Sequence, residues 1–302
     1  NAQFFSSPLL MESGSQPTLL FPTYSNRMFE VTVDSAQVVD PSGVPLQSGV
    51  LAEVAASDNL LFVPYRDGDV VALDRETYDE VWRLDTKEGV WSSPLLQDGV
   101  VYATSIDHFL YAVDAESGDP VWDAPVDLEG GAASTPLYND GYLYVGSYSH
   151  KMYKVDAASG EITAQYEGNN WVWSTPVLLD GILYYTDLSG YVCALNASDL
   201  TEVWSERPAE KGIRPAPVVT ADYVVVASRD GKVYWLDRET GTLIFDRELE
   251  GRPEILSDIL LIEANPDAGI DDALIIVGSA DPARLVGAFV LENRSPLWVY
   301  GR

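Results

Sequence analysis

Two histidines, one cysteine and one acidic loop are the residues of this chain whose types suit acid–base, nucleophilic or metal chemistry. An imidazole such as His108 or His150 titrates near neutral pH and can act as base or ligand. A thiolate at Cys193 could attack carbon or bind a metal. Asn265, Asp267, Asp271 and Asp272 alternate oxygen donors in the manner of a calcium loop, but the loop's fifth position is Gly269 and its twelfth is Ile276, where a bidentate carboxylate is required. The segment is therefore a weak metal candidate. No glycine-rich phosphate loop, nucleophile motif or histidine-rich metal motif occurs. A second group suits binding instead of catalysis: Phe5, Trp91, Trp171, Trp173 and Arg214 are large aromatics and an arginine, the side chains that anchor partners.

What positions these residues is a repeat. Ser92–Leu96 (Ser-Ser-Pro-Leu-Leu) recurs as Ser134–Tyr138, Ser174–Leu178 and Pro215–Val219, with prolines 42, 40 and 41 residues apart. Ser6–Leu10 matches the first copy two periods upstream, so a degenerate copy is expected near Ser48–Glu53. A second marker runs in phase, ending at Asp74, Asp114, Asp156, Asn196 and Asp237. A turn follows, then a strand ending in Trp82, Trp122, Trp204 or Phe245. Each unit reads as four short strands bounded by turn residues: the first carries the Ser/Thr-Pro, the second is a run such as Gly99–Ser105, the third Leu110–Asp114, the fourth Pro120–Trp122. Four strands at this period predict an all-β chain, a β-propeller of about seven four-stranded blades, with six or eight left open. The expected blades are 4–46, 47–89, 90–131, 132–171, 172–212, 213–251 and 252–302 of a single domain spanning 1–302.

The repeat assigns several candidates. His108 and His150 share a slot with Asn26, Gly68, Gly190 and Gly231, the tight turn between second and third strands. Gly and Asn there imply a positive φ, which His tolerates, so the histidines are expected in turns. Cys193 lies in a third strand where other blades place Tyr or Val and is expected in the core as a small hydrophobe. Phe5, Trp91, Ala133, Trp173 and Arg214 all stand three residues before an inner-strand proline, with Trp171 two residues before Trp173. These side chains are expected to gather where the chain enters the central channel.

Gly99–Trp122, Gly141–Gly160 and Asp222–Gly241 resemble the PQQ-like, quinoprotein-type propeller repeat, a likeness clear from about residue 58 to 246. Large enzymes of that family hold PQQ and Ca²⁺ and oxidise alcohols or sugars. They are longer, typically eight-bladed, and use a pair of adjacent cysteines, whereas this chain has Cys193 alone. The chain is more similar to the family's smaller, non-catalytic members, exemplified by the propeller lipoprotein of the outer-membrane β-barrel assembly machinery. The resemblance implies a scaffold in the periplasm or at the cell surface, and a lipid anchor just before Asn1 would fit it.

Charge narrows the partners. Asp and Glu outnumber Lys and Arg 47 to 18, a net charge of −29. That field repels phosphate backbones and anionic lipid, excluding nucleic acid as a partner and favouring proteins with basic surfaces. No apolar run is long enough to cross a bilayer as a helix. The expectation is a non-enzymatic exported propeller, a protein-interaction scaffold or accessory subunit of an envelope-associated assembly, with no catalytic residue and no cofactor. A PQQ-dependent or other redox enzyme and a carbohydrate or small-ligand binder are the alternatives.

Overall fold

A computed structural model describes residues 6–11, 16–268, 270–280 and 286–300. The chain forms seven four-stranded antiparallel sheets, each built from four consecutive strands in the order first to fourth. They occupy residues 9–45, 55–84, 95–127, 137–167, 177–206, 218–248 and 260–300. This is the β-propeller blade, and no described strand is exchanged between blades. The chain divides into two compact units, residues 1–149 with 155–163 and residues 150–154 with 164–302.

First and second strands are joined by Asp-Gly pairs, Asp98-Gly99, Asp140-Gly141 and Asp180-Gly181, with φ near +50° at each Asp and near +80° at each Gly. Two consecutive positive φ values match the twist of the flanking strands, which is why Asp-Gly fits a two-residue hairpin. The turn between second and third strands has positive φ at all six equivalent residues, from 60° at Asn26 to 131° at Gly68. His108 (83°) and His150 (69°) sit there with exposed side chains, as the repeat predicts.

Two expectations about the strands change. The Ser/Thr-Pro does not lie in the first strand but just before it: strands begin at Leu95, Leu137, Val177 and Val218. Proline has no N–H to give a ladder. The residue preceding the proline does a different job. Glu53 N–H donates to Ser93 Oγ (3.0 Å) and Ser93 N–H to Thr135 Oγ1 (3.1 Å) in the first unit. In the second, Ala216 N–H donates to Asp258 Oδ1 (2.7 Å). The third, fourth and seventh blades thus each supply an acceptor to the blade before them. The other change is in the third blade, whose fourth strand is Val126–Asp127 instead of Pro120–Trp122. Pro120 makes only an isolated bridge to Val113, and Pro125 interrupts the run.

The core lies between neighbouring blades. In the first unit Phe62, Trp82, Val101, Ala103 and Val113 pack the second blade on the third. In the second unit Tyr184, Trp204, Val224, Val226 and Tyr234 pack the fifth on the sixth. The outer tryptophan latches each pair. Trp82 Nε1–H donates to Ala115 O (2.9 Å), Trp122 to Ala157 O (3.0 Å) and Trp204 to Arg238 O (3.0 Å). Gly118, Gly160 and Gly241 of those next-blade turns have φ of 71–74°, and an added Cβ would lie 2.6–2.9 Å from the indole. The turn glycine therefore exists to admit the neighbour's ring as well as to adopt the left-handed backbone.

Where the preceding blade lacks that tryptophan, the glycine is replaced. Ala164 stands in the outer slot of the fourth blade, and the matching turn residue of the fifth is Leu200, buried at φ 59°. Lys154, also buried, donates Nζ–H to Ser198 O (2.7 Å) and so takes over the polar part of the latch. Phe245 fills the outer slot of the sixth blade, and Arg294 (φ 61°) lies 5.7 Å from its ring.

Candidate functional site

The second, third, fourth and sixth blades are entered by short segments pinned on both sides by backbone hydrogen bonds, and the fifth by one held on one side. In the first unit Arg66 N–H donates to Gly49 O (2.9 Å), Ile106 N–H to Gly89 O (2.9 Å) and Tyr148 N–H to Gly131 O (2.8 Å). Val50, Val90 and Ala132 N–H in turn donate to Thr23, Tyr65 and Ser105 O, each at 3.0 Å. The second unit repeats this with Leu188 N–H to Trp171 O (3.0 Å), Arg229 N–H to Gly212 O (3.1 Å) and Ile213 N–H to Asp187 O (3.0 Å). The glycines are forced by close approach: a Cβ on Gly89 would lie 2.1 Å from Arg66 O, and one on Gly49 2.3 Å from Tyr24 O. Trp171 holds the corresponding slot of the fifth blade and is 45% exposed. These fixed segments present the aromatic candidates.

In the first unit Trp91 is 38% exposed and donates Nε1–H to Arg66 O (3.1 Å). The Arg66 guanidinium lies 4.2 Å over the Tyr24 ring and bonds Asp67 Oδ1 through Nε (3.0 Å). Ser48 Oγ–H donates to Asp67 Oδ2 (2.8 Å). Hydrogen bonds from Arg66 and Ser48 hold the Asp67 carboxyl below the usual carboxylate range. The result is an aromatic–guanidinium–aromatic surface drawn from three successive blades. Sequence reasoning found Trp91 but missed Tyr24 and Arg66. Their signal was present: both stand two residues before the positive-φ slot of Asn26 and Gly68.

In the second unit the structure brings Trp173 and Arg214 together, the guanidinium 4.1 Å over the ring, both half-buried. Cation–π pairing of this kind holds two flat groups in a defined orientation. Trp171 N–H is accepted by Asn170 Oδ1 (2.7 Å). Phe5 lies outside the described residues.

The residues suited to chemistry are placed apart. Cys193 is fully buried, 3.2 Å from Ser205 Oγ, and burial pushes its thiol up to about 11. Asn265 and Ile270 exchange two backbone hydrogen bonds (2.7 and 3.0 Å), closing the acidic segment into a tight loop with Asp267, Asp271 and Asp272 turned to solvent. Among the described residues no three His, Cys, Asp or Glu side chains lie close enough to hold a metal. No helix among them is long and apolar enough to cross a membrane. The geometry suits docking of a partner onto fixed aromatic and guanidinium groups.

Comparison with known proteins agrees with the repeat. The chain matches the family described as outer membrane protein assembly factor BamB over residues 31–131 and 107–300. BamB of Marinobacter adhaerens is 34% identical over 76 residues, covering 25% of this chain and 20% of that protein. BamB of Yersinia pestis is 24% identical over 155 residues, 51% of this chain and 39% of that protein. The matched stretches thus span well under half of those curated relatives. The crystal structure of BamB from Moraxella catarrhalis superimposes with a TM-score of 0.76 at 22% identity, covering 96% of this chain and 84% of that one. The computationally designed Ika8 protein gives 0.78 at 15% identity, covering 100% and 88%, a likeness of fold alone. A seven-bladed propeller whose family match runs from residue 31 to residue 300 belongs to the BamB family of outer membrane protein assembly factors.

Proposed function

We propose that this chain is a non-enzymatic, extracytoplasmic propeller that acts as a protein-interaction scaffold or accessory subunit of an envelope-associated assembly. The observation that carries this reading is the set of exposed or half-exposed aromatic and guanidinium groups on pinned entry segments: Trp91 with Arg66 and Tyr24, Trp171, and Trp173 with Arg214. Rigid aromatics lose little entropy on docking and anchor interfaces well. A net charge of −29 around them favours partners with basic rims, whose association would weaken as salt rises. The names of the matched relatives, outer membrane protein assembly factors, point the same way.

The test is isolation of the chain from its native membrane fraction, with wild type beside a Trp91→Ala, Trp171→Ala, Arg214→Ala triple variant. Wild type co-isolates other protein subunits, and the triple variant, with unchanged thermal stability, loses at least about tenfold of that yield, the size of one lost anchor. A wild-type chain that isolates alone would sink the proposal. Quenching of tryptophan fluorescence by a sugar panel, with no protein captured, would install the carbohydrate reading in its place.

A further inference from the structure

One buried carboxylate stands at a position where the third, fourth and sixth blades carry a buried serine. Ser105, Ser147 and Ser228 occupy the same slot at the end of the second strand, all fully buried. Each donates its hydroxyl to carbonyls of the segment entering its blade: Ser105 to Glu88 O (3.0 Å) and Gly89 O (3.3 Å), Ser147 to Leu128 O and Gly130 O (both 2.9 Å), Ser228 to Lys211 O (3.1 Å) and Gly212 O (3.3 Å). In the fifth blade this slot is Asp187, also with no exposed surface. The local backbone is unchanged, since Leu188 N–H still donates to Trp171 O as Ile106 does to Gly89 O and Arg229 to Gly212 O.

Asp187 Oδ1 is fully engaged by Ser189 N–H (2.8 Å), Ser189 Oγ–H (2.8 Å) and Tyr191 N–H (3.0 Å). Oδ2 is buried and has no hydrogen-bond partner. On the same strand face, two residues back, the buried Tyr185 hydroxyl has the Cys193 thiol as its hydrogen-bonding neighbour and no oxygen or nitrogen partner, and it lies against Gly168, at the start of the entry segment. The guanidinium of Arg207 is engaged elsewhere, with Nε donating to Ser189 O (2.9 Å) and Cζ 6.0 Å from the Tyr191 ring.

We propose that Asp187 Oδ2, the Tyr185 hydroxyl and the carbonyls of the 168–171 entry segment form a buried site for a hard cation of the alkali or alkaline-earth class. A serine in this slot donates its hydrogen to the entry-segment carbonyls, and an ionised carboxylate has no hydrogen to give them. A buried carboxylate oxygen that receives no hydrogen bond calls for a positive partner, a cation or a proton of its own. Donors that are all oxygen, and mostly neutral, suit Na⁺, K⁺ or Ca²⁺ and not the thiolate- or imidazole-seeking metals. The site needs no cluster of acidic side chains, because backbone supplies most of its ligands.

The test measures thermal unfolding of the full chain after chelator treatment, at ionic strength fixed with choline chloride, as KCl, NaCl or CaCl₂ replaces the choline. Fixed ionic strength removes general screening of the −29 charge. Wild type gains about 4 °C at a hundredfold excess of one cation over its Kd, along a saturating curve. Asp187→Ser, which recreates the third, fourth and sixth blades, and the isosteric Asp187→Asn show no such gain; the Asn variant carries the comparison if the Ser variant does not fold. An equal response in all three proteins, or none in wild type, overturns the proposal. In crystals grown with RbCl, an anomalous peak within coordinating distance of Oδ2 supports it, and a water alone in that position overturns it.

Discussion

Replacing Trp122 by Ala and Gly160 by Leu should each destabilise the protein severely, and making both changes together should cost much less than their sum. Trp122 is buried, and its Nε1–H bonds Ala157 O at 3.0 Å. Truncating such a side chain costs about 3–5 kcal/mol. Gly160 adopts φ +74°, and a Cβ there would lie 2.9 Å from Trp122 Cδ2. A leucine in its place meets about 1–2 kcal/mol of left-handed backbone strain. Overlap with the indole adds about 1–3 kcal/mol. The independent sum is about 7.5 kcal/mol, using the middle of those ranges. The junction of the fourth and fifth blades already combines alanine with leucine, at Ala164 and Leu200. In the double variant the leucine side chain occupies the space the indole vacates, removing the overlap and filling part of the cavity. The coupling should then be about 2–3 kcal/mol in the favourable direction, well above the ~0.5 kcal/mol scatter of independent sites. Urea unfolding of the four proteins of the cycle, with slopes checked for constancy, measures it. Effects that add within that scatter would refute the idea that ring and turn are matched.

Asp74, Asp114, Asp156 and Asp237 each accept backbone N–H bonds from the residues two and three ahead. These bonds hold their carboxyls below the usual carboxylate range, with the Thr240 hydroxyl the leading cause at Asp237. A depressed folded value stabilises above the unfolded value of about 3.9 and is lost as pH falls through the folded one. The difference in Tm between wild type and a Asp114→Ala, Asp156→Ala, Asp237→Ala variant should therefore hold steady above about pH 5 and shrink below about pH 4. A difference that grows on acidification contradicts this. Cys193, with its thiol near 11 and no exposed surface, should resist a disulfide reagent at pH 8 in the native protein and titrate as one equivalent in denaturant. Rapid native labelling would show that the third-strand core opens readily.

The blade pattern was legible because its markers are local: Asp-Gly hairpins, positive-φ turn residues and outer tryptophans recur every 40–42 residues. The turn role of His108 and His150 followed from the same phase. Less legible was anything made by two blades together. Trp91 was singled out for its type, but the surface around it depends on Arg66 and Tyr24, brought alongside only when successive blades stack. The fourth strand of the third blade was misplaced because Trp122 marks the latch and not the ladder, and in this blade Pro120 and Pro125 separate the two. The Ser/Thr-Pro reads as part of the first strand, whereas the hydroxyls of Ser93 and Thr135 serve the preceding blade. Asp187 drew no notice in the sequence, since composition carries no sign that one of its oxygens is buried without a donor.

The exchange of Trp and Gly for Ala and Leu bears on how such a chain can lengthen or recombine. A ring on one blade and the hollow that admits it on the next are separated by about 35 residues of sequence. A segment excised at blade boundaries and inserted elsewhere would carry a ring without its hollow, or a hollow without its ring, and would create two mismatched seams. A segment that begins at an outer strand and ends after the following turn carries both halves and joins silently. Grafting experiments and tandem duplications should therefore tolerate cuts between third and fourth strands far better than cuts at the blade edges.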